Sequence, residues 1–135
     1  MKAGNERPIR ILLVDDKLII REGLIAMLDC QDDMQIIAEA ANGSDAIEQF
    51  RYFQPTLTLM DMSMPVMDGI TATRAIVREF PAALILMFSA DPDIEAESLK
   101  AGATAFLPKD ASQPDLVDAI HAICHALPTA RRNVF

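Results

Sequence analysis

The stretch Leu57-Thr58-Leu59-Met60-Asp61-Met62-Ser63-Met64-Pro65-Val66-Met67-Asp68-Gly69 begins with an apolar run of strand length that ends in a single carboxylate, Asp61. Such a run predicts a buried strand, and Pro65 together with Asp68-Gly69 predicts that a loop follows it. Asp61 therefore stands where a strand gives way to a loop. In open parallel sheets that end of the strands forms the ligand-binding crevice, so we take Asp61 as the candidate chemical centre.

Four further apolar runs of strand length accompany this one, at residues 9–14, 34–40, 83–88 and 104–107. Between the runs, apolar side chains recur at helical spacing, as they do at Ile70, Val77 and Phe80. Five strands alternating with five helices predict an α/β domain in which helices cover both faces of a parallel sheet.

The composition of the five runs predicts their order in the sheet. The first, third and fourth runs are continuously apolar, which is typical of strands buried on both faces, whereas the second and fifth are mixed and suit the edges. This favours a flavodoxin-like (βα)5 doubly wound sheet with strand order 2-1-3-4-5. In that order the first and third strands are neighbours, so Asp15 and Asp16, which follow the first strand, would lie beside Asp61.

Length, composition and charge restrict what the chain can be. With 135 residues, of which 51% are hydrophobic, it suits one domain, which we place at residues 1–128, with 129–135 as a tail or the start of a linker. The sequence shows neither a membrane-spanning run nor the apolar stretch of a signal peptide, which favours a cytoplasmic protein without a membrane partner. A net charge of −8 lacks the basic footprint that binding to a phosphate backbone requires, so this domain alone should not bind nucleic acid.

Two residue types invite over-interpretation. Cys30 and Cys124 are far apart in the sequence and are expected to be small buried hydrophobic residues. His121 and His125 have the spacing of metal ligands on a helix, but no third histidine accompanies them. We therefore expect the histidines to be a solvated surface pair.

The polar residues at the strand ends suggest one chemistry. Three carboxylates in one crevice, from Asp15, Asp16 and Asp61, repel each other unless a cation compensates them. Oxygen-only ligands favour Mg²⁺, which commonly completes its shell with phosphate oxygens. An aspartate in such a site can form an acyl phosphate. Lys109 after the fifth strand would supply an ammonium, and Ser89 after the fourth strand a hydroxyl, to a phosphoryl group.

With these residues in view, the sequence resembles the receiver domains of two-component response regulators over nearly its whole length. The residues that carry the resemblance are Asp15-Asp16, Asp61 with Met64-Pro65 and Asp68-Gly69, Ser89-Ala90 and Leu107-Pro108-Lys109.

The resemblance implies a role for each residue. Asp61 would accept phosphate from a sensor histidine kinase, and Lys109 would contact the phosphoryl group. Mg²⁺ would be held by the carboxylates of Asp15, Asp16 and Asp61 and by the backbone carbonyl of Ser63. Ser89 would be the switch hydroxyl and Phe106 the aromatic side chain that follows it. The fourth helix, with its thin apolar stripe, and the fifth strand would then shift between two packings to control output.

Two segments, Arg21-Glu22-Gly23-Leu24 and 102–110, further resemble the NarL/FixJ subgroup with LuxR-type helix-turn-helix output. This implies control of transcription through a C-terminal DNA-binding domain that is absent from these residues, and dimerisation on phosphorylation. Lys17-Leu18 departs from the His-Pro common in that subgroup and leaves the acidic pair intact. The alternative that remains open is a stand-alone or phosphate-independent receiver that acts only through protein–protein binding.

Two other classes fit the sequence less well. Haloacid-dehalogenase-like phosphohydrolases place Asp-x-Asp after their first strand, whereas Asp61 follows the third strand and Ser63 stands two residues beyond it. A flavodoxin needs a phosphate loop rich in Ser, Thr and Gly, whereas Asp15-Asp16-Lys17 would repel the phosphate of FMN. We therefore expect a signalling protein that accepts a phosphoryl group on its own side chain and does not catalyse repeated turnover of a substrate.

Overall fold

Five parallel strands form one sheet in the order β2-β1-β3-β4-β5 in a computed structural model, which describes residues 8–126. The strands are β1 (Ile9–Val14), β2 (Met34–Ala40), β3 (Leu57–Asp61), β4 (Ile85–Ser89) and β5 (Ala105–Pro108). The helices are α1 (Leu18–Asp29), α2 (Gly43–Phe53), α3 (Gly69–Glu79), α4 (Glu95–Ala101) and α5 (Gln113–His121), with a 3-10 turn at Pro92–Ile94 and a π-helical turn at Ala122–Ala126. This confirms the predicted flavodoxin-like fold and strand order.

The C-terminal segment and the membrane character of the chain were both predicted from the sequence. The predicted end of the domain at residue 128 and the tail 129–135 lie outside the described residues, so their assignment stays a prediction. Within residues 8–126, no helix combines the length and the apolar character needed to cross a membrane.

The hydrophobic core consists of two layers, one on each face of the sheet. On one face, strand residues such as Leu12 and Met60 pack with side chains from α2, α3 and α4. On the other face, Leu13 and Leu59 pack with side chains from α1 and α5. All four of these strand residues are fully buried. Burial on both faces is the reason that the central strands are continuously apolar.

Side-chain caps define where the helices begin. Asn42 accepts a hydrogen bond from the backbone N–H of Asp45 at the start of α2, and Asp68 accepts one from Thr71 at the start of α3, each at 2.8 Å. These caps satisfy backbone donors that would otherwise lack a partner in the first turn. The sequence Asn42-Gly43-Ser44, which predicts a turn and a helix cap, does form the start of α2, with Asn42 as the capping residue.

Two local expectations are wrong. The sequence pattern predicts a fourth helix over residues 93–101, but α4 begins at Glu95, because Asp91 caps a separate 3-10 turn that starts with Pro92. Cys30 is exposed and not buried, because it caps the C-terminus of α1 beyond the last core contact. Cys124 is half-buried, and both cysteines are free thiols.

Candidate functional site

The three predicted carboxylates meet at the carboxyl edge of the sheet. Oxygen atoms from Asp15, Asp16 and Asp61 lie within 4.8 Å of one another. Asp15 and Asp61 are almost completely buried, at 0% and 1% exposure, and Asp16 is half-buried. Because β1 and β3 are adjacent parallel strands, the structure brings the consecutive residues Asp15 and Asp16 beside Asp61, which is distant in the sequence. We call these three residues the acidic cluster.

The start of α3 holds Asp61 in place from behind. The backbone N–H of Gly69 donates to the carbonyl of Met62 at 2.9 Å, which brings the helix against the end of β3. A Cβ atom at Gly69 would lie 2.1 Å from the carbonyl oxygen of Asp61. Only glycine therefore permits this approach, which accounts for the Asp68-Gly69 pair singled out in the sequence.

Lys109 is the cation that links two members of the acidic cluster. Its Nζ atom lies 3.0 Å from Oδ1 of Asp61 and 3.1 Å from Oδ2 of Asp15. Its backbone N–H donates to the carbonyl of Ser89 at 2.9 Å, and its ammonium lies 5.0 Å from the centre of the Phe88 ring. The lysine is thus positioned by β4 on both its backbone and its side chain.

Burial and neighbouring charges shift the pKa values of Asp61 and Lys109. Burial raises the pKa of Asp61 above its ordinary value of 3.8, and the charge of Asp15 adds to the rise, while the hydrogen bond and charge of Lys109 only partly oppose it. For Lys109, burial acts to lower the pKa, but the hydrogen bonds and charges of Asp61 and Asp15 outweigh it and raise the pKa. The lysine therefore stays protonated, and the buried carboxylates are incompletely neutralised.

One oxygen of the central aspartate lacks a partner. Asp61 Oδ1 receives the Lys109 ammonium and a long, 3.4 Å hydrogen bond from the backbone N–H of Ser63. Asp61 Oδ2 is buried, and no donor among residues 8–126 reaches it. A buried carboxylate oxygen without a donor is unfavourable by about 1–3 kcal/mol or more. A ligand that brings positive charge to this oxygen would remove that deficit.

Two basic residues that our sequence reasoning did not assign to the site brace the loop after β1. The Lys17 backbone N–H donates to Asp15 Oδ1 at 2.8 Å, and its ammonium lies 3.2 Å from Asp16. Arg21 donates to the carbonyl of Asp15 at 2.7 Å and pairs with Glu39 at 2.8 Å. The contact of Lys17 could have been expected, because Lys17 directly follows the acidic pair in the sequence. The contacts of Arg21 could not, because they depend on how α1 packs against the sheet.

The remaining predicted site residues lie near the acidic cluster without joining it. Ser89 is buried, and its hydroxyl accepts a hydrogen bond from the backbone N–H of Asp91 at 3.0 Å. Phe106 is half-buried and packs with the core layer of α2, α3 and α4. The Ser63 side chain is exposed, and its backbone N–H is the part that contacts Asp61.

A parallel sheet of this order, with an acidic cluster and a lysine at its carboxyl edge, is the arrangement that the resemblance to receiver domains implies. Residues 11–121 match the response regulator receiver domain family, and the chain belongs to that family.

The similar proteins narrow this to a receiver of the NarL/LuxR type. The transcriptional regulatory protein LiaR of Bacillus subtilis is 37% identical over 93% of this chain and 61% of its own length. The crystal structure of a LuxR-family two-component response regulator from Aurantimonas is 34% identical and superposes with a TM-score of 0.85, covering 88% of this chain and 86% of that one. The receiver domain of a putative response regulator NarL from Mycobacterium tuberculosis is 32% identical, with a TM-score of 0.79 over 84% and 94% of the two chains.

Several relatives are longer than this chain. It spans just over half to about three fifths of the length of the first transcriptional regulators it matches, with 53% of one and 61% of another. Receiver domains also occur in enzymes, because a protein-glutamate methylesterase from Methanococcoides burtonii is 35% identical over 94% of this chain and 36% of the enzyme. Membership of the family therefore identifies the chain as a receiver domain and does not identify the process that the domain controls.

Proposed function

We propose that this domain is a phosphorylation-dependent switch in which Asp61 accepts a phosphoryl group from a sensor histidine kinase. The observation that carries the proposal is Asp61 Oδ2, a buried carboxylate oxygen that no donor among residues 8–126 reaches, in a residue whose other oxygen contacts the half-buried Lys109. In the transfer, a carboxylate oxygen bonds to phosphorus as the bond from phosphorus to the histidine nitrogen breaks. The products are an acyl phosphate and a free imidazole, which takes up a proton.

Lys109 would stabilise the charge that develops on the transferred group. Its ammonium is already 3.0 Å from Asp61, and its raised pKa keeps it protonated at neutral pH. A fixed ammonium in a buried site stabilises developing negative charge more strongly than water does. When phosphate arrives, Lys109 would donate to a phosphoryl oxygen in place of its present bond to Asp61.

The donor set also fits Mg²⁺. It consists of oxygen atoms only, carries an excess of negative charge and includes the unpartnered Asp61 Oδ2. Asp15, Asp16 and Asp61 would hold the ion, together with the backbone carbonyl of Ser63. When bound, Mg²⁺ supplies positive charge that offsets the charge on the phosphoryl oxygens.

We further propose that Ser89 and Phe106 relay phosphorylation to α4. Ser89 would exchange its hydrogen bond with Asp91 for one to the phosphoryl group, and Phe106 would move into the space next to it. Helix α4 is suited to respond, because only two of its seven residues, Ser98 and Ala101, are buried. A helix with so few buried contacts can change its packing at low energy.

Deletion of the hydroxyl tests this relay. In Ser89→Ala, acetyl phosphate should still label Asp61 but should no longer change amide hydrogen exchange in residues 92–108. Ser44→Ala, which removes an exposed hydroxyl on α2, should behave like the unaltered protein. An unchanged exchange response in Ser89→Ala would exclude the relay while leaving phosphorylation itself intact.

The apolar surface beside the acidic cluster suits a protein partner. Leu18 and Ile19 at the start of α1 are 58% and 73% exposed. Ile19 also lines an apolar cavity of about 250 Å³ between α1 and the loop that leads into α5. A kinase domain that delivers phosphate to Asp61 would contact this surface.

The output is proposed from the relatives. Since the similar proteins include transcriptional regulators, we propose that the domain controls transcription through a C-terminal DNA-binding domain, with dimerisation on phosphorylation. It would act in the cytoplasm and would not turn over phosphate esters as an enzyme. The second candidate is a receiver whose output is protein–protein binding alone, which the strongly acidic composition of the domain equally allows.

The decisive experiment is intact mass spectrometry of the protein with Mg²⁺ and acetyl phosphate. We expect one phosphoryl adduct that hydroxylamine removes, and no adduct in Asp61→Asn. Asp110→Asn, which neutralises an exposed carboxylate next to Lys109, is the matched control and should be labelled normally. Absence of an adduct under conditions that label another receiver would refute the proposal and favour a phosphate-independent binding domain. Sustained release of phosphate from simple esters would indicate a phosphohydrolase.

A further inference from the structure

A second group of metal-ligating side chains lies at the opposite edge of the sheet from the acidic cluster. Asp33 immediately precedes β2, and its carbonyl accepts a hydrogen bond from the N–H of Ile9 at the start of β1, at 2.7 Å. Because α5 runs antiparallel to the strands, its last residue, His121, reaches this same edge. His125 follows in the π-helical turn.

The three side chains converge on one point. His121 Nε2 donates a hydrogen bond to Asp33 Oδ2 at 2.7 Å. The rings of His121 and His125 are 5.3 Å apart, with an angle of 32° between their planes. One ligand atom from each of the three residues lies within 4.8 Å of the other two. Both histidines lie at the surface as expected, with His125 exposed and His121 half-buried, and the α1–β2 turn adds a carboxylate beside them that was not adjacent in the sequence.

The backbone around these residues is held by the core. Ile120 and Ile123, which flank His121, are 0% and 4% exposed. Gln113 at the start of α5 donates to the carbonyl of Met27 at 3.0 Å and so ties α5 to α1. The carboxylate and the imidazole remain accessible from solvent, with 39% and 35% of the Asp33 and His121 side chains exposed. Rigid backbones and open side chains are what a surface ion site requires.

We propose that Asp33, His121 and His125 bind a divalent transition-metal ion, for which Zn²⁺ is the probe. Two imidazole nitrogens and one carboxylate oxygen, with water in the fourth position, are an established zinc ligand set. Imidazole ligands favour Zn²⁺, Ni²⁺ or Cu²⁺ over Mg²⁺, so this site differs in chemistry from the acidic cluster. The two histidines are four residues apart on one helix, the spacing that lets both nitrogens reach the same ion.

Ion binding would require the ligand atoms to adjust. Two atoms bound to one tetrahedral Zn²⁺ at about 2.0–2.1 Å are roughly 3.3 Å apart, compared with 2.7 Å between His121 Nε2 and Asp33 Oδ2. The ion would take the place of the hydrogen bond between His121 Nε2 and Asp33, and the neutral imidazole would carry its single proton on Nδ1. The result is a clamp that joins the end of α5 to the turn before β2. The π-helical turn that carries His125 agrees with this role, since such turns are rare and often occur at functional sites.

The test is a competition titration of Zn²⁺ against a chromophoric chelator, with the protein in excess Mg²⁺ so that the acidic cluster is saturated. We expect one Zn²⁺ per chain in the unaltered protein. His121→Ala, His125→Ala and Asp33→Asn should each weaken binding by at least about tenfold. Asp32→Asn, which removes the same charge from the same turn, should bind as the unaltered protein does.

Thermal unfolding provides a second measurement. Zn²⁺ should raise the Tm of the unaltered protein and of Asp32→Asn, but not that of His125→Ala, whose exposed side chain can be removed without disturbing the core. The proposal is overturned if the unaltered protein binds no Zn²⁺ at 100 µM, about the weakest affinity worth calling specific. It is also overturned if binding survives in the histidine variants, or if Asp32→Asn loses as much affinity as Asp33→Asn.

Discussion

The charges around Asp61 are out of balance. Three carboxylates meet the half-buried ammonium of Lys109, and Lys17, whose side chain is 55% exposed, compensates only Asp16. A buried carboxylate that is not fully paired lowers the stability of the folded state. We infer that the incomplete pairing of Asp61 makes the domain less stable than it would be with a neutral side chain at this position.

Replacement of the central aspartate should therefore stabilise the protein. Because the pKa of Asp61 is raised in the folded state, folding takes up protons, and its ionisation destabilises the fold increasingly as pH rises from its ordinary pKa of 3.8 through the folded value. Asp61→Asn should raise the free energy of unfolding at pH 7 by about 1 kcal/mol. Urea unfolding between pH 4 and pH 7 with EDTA measures this.

The gain in Asp61→Asn should shrink as pH falls, because protonation of Asp61 in the unaltered protein removes the same charge that the substitution removes. Asp110→Asn neutralises an exposed carboxylate and should change the free energy of unfolding by much less. A loss of stability in Asp61→Asn at pH 7 would contradict the charge argument.

Replacement of Lys109 should lower the stability of the protein. The pKa of Lys109 is raised in the folded state, so its contribution to stability is fully present at pH 7 and disappears only as pH rises above its ordinary value of 10.5. Lys109→Met leaves Asp15 and Asp61 without their shared cation and should lower the free energy of unfolding by about 1–2 kcal/mol. It should also slow labelling by acetyl phosphate at least about tenfold.

Lys100→Met is the matched control, because Lys100 is exposed on α4. It should change neither the stability nor the labelling rate. Equal effects of the two substitutions would mean that loss of net positive charge, and not the contacts of Lys109, is responsible.

At the scale of secondary-structure elements, the position of α3 depends on one close backbone contact. Helix α3 begins at Gly69, directly behind the carbonyl of Asp61. Helix α1 has a glycine of the opposite kind, because a Cβ atom at Gly23 would meet no atom within 4 Å. The two helices therefore use glycine for different reasons.

The same substitution at these two glycines should have opposite effects. Gly69→Ala would press a methyl group against the Asp61 carbonyl and should destabilise the domain by about 2 kcal/mol or more through displacement of α3. Gly23→Ala replaces glycine inside a helix at an open position and should stabilise it by about 0.5–1 kcal/mol. Urea unfolding of both variants would test the assignment. An unchanged stability of Gly69→Ala would mean that α3 tolerates a shift behind the Asp61 carbonyl.

At the scale of the whole molecule, the sheet separates two candidate ion sites. The acidic cluster lies at the carboxyl ends of the strands and the Asp33-His121-His125 group at the amino ends. Strands β1 and β3, of six and five residues, place these edges roughly 15–20 Å apart. This separation is about two Debye lengths at physiological ionic strength, so the solvent between the two edges largely screens an ion at the exposed Asp33-His121-His125 group from the acidic cluster.

The two sites should therefore act independently. Mg²⁺ and Zn²⁺ should raise the Tm by increments that add, since distant sites without shared contacts have additive effects. His125→Ala should leave labelling of Asp61 unchanged, and Asp61→Asn should leave Zn²⁺ affinity unchanged. Calorimetry with each ion alone and with both ions measures the additivity. An increment that disappears in the presence of the other ion would show that the sites are coupled or that one site binds both ions.

The fold and most of the acidic cluster could be predicted from local patterns. Periodicity located the five strands, and the difference between continuously apolar and mixed runs was sufficient to place β1 beside β3. Adjacent parallel strands necessarily bring Asp15, Asp16 and Asp61 to one edge, because strand order fixes which ends are neighbours. The placement of Lys109 followed from the same rule.

What the tertiary structure alone decided is which side chains meet across elements. The pairing of His121 with Asp33, the bracing of Asp15 by Arg21 and the lack of a donor at Asp61 Oδ2 all depend on how α1 and α5 pack on the sheet. The central and edge strands and the residues at their ends are evident from the sequence, since hydrophobic burial acts through a pattern that repeats along the chain. Individual polar contacts carry no such repeat, because they arise only after burial has set the distances between elements.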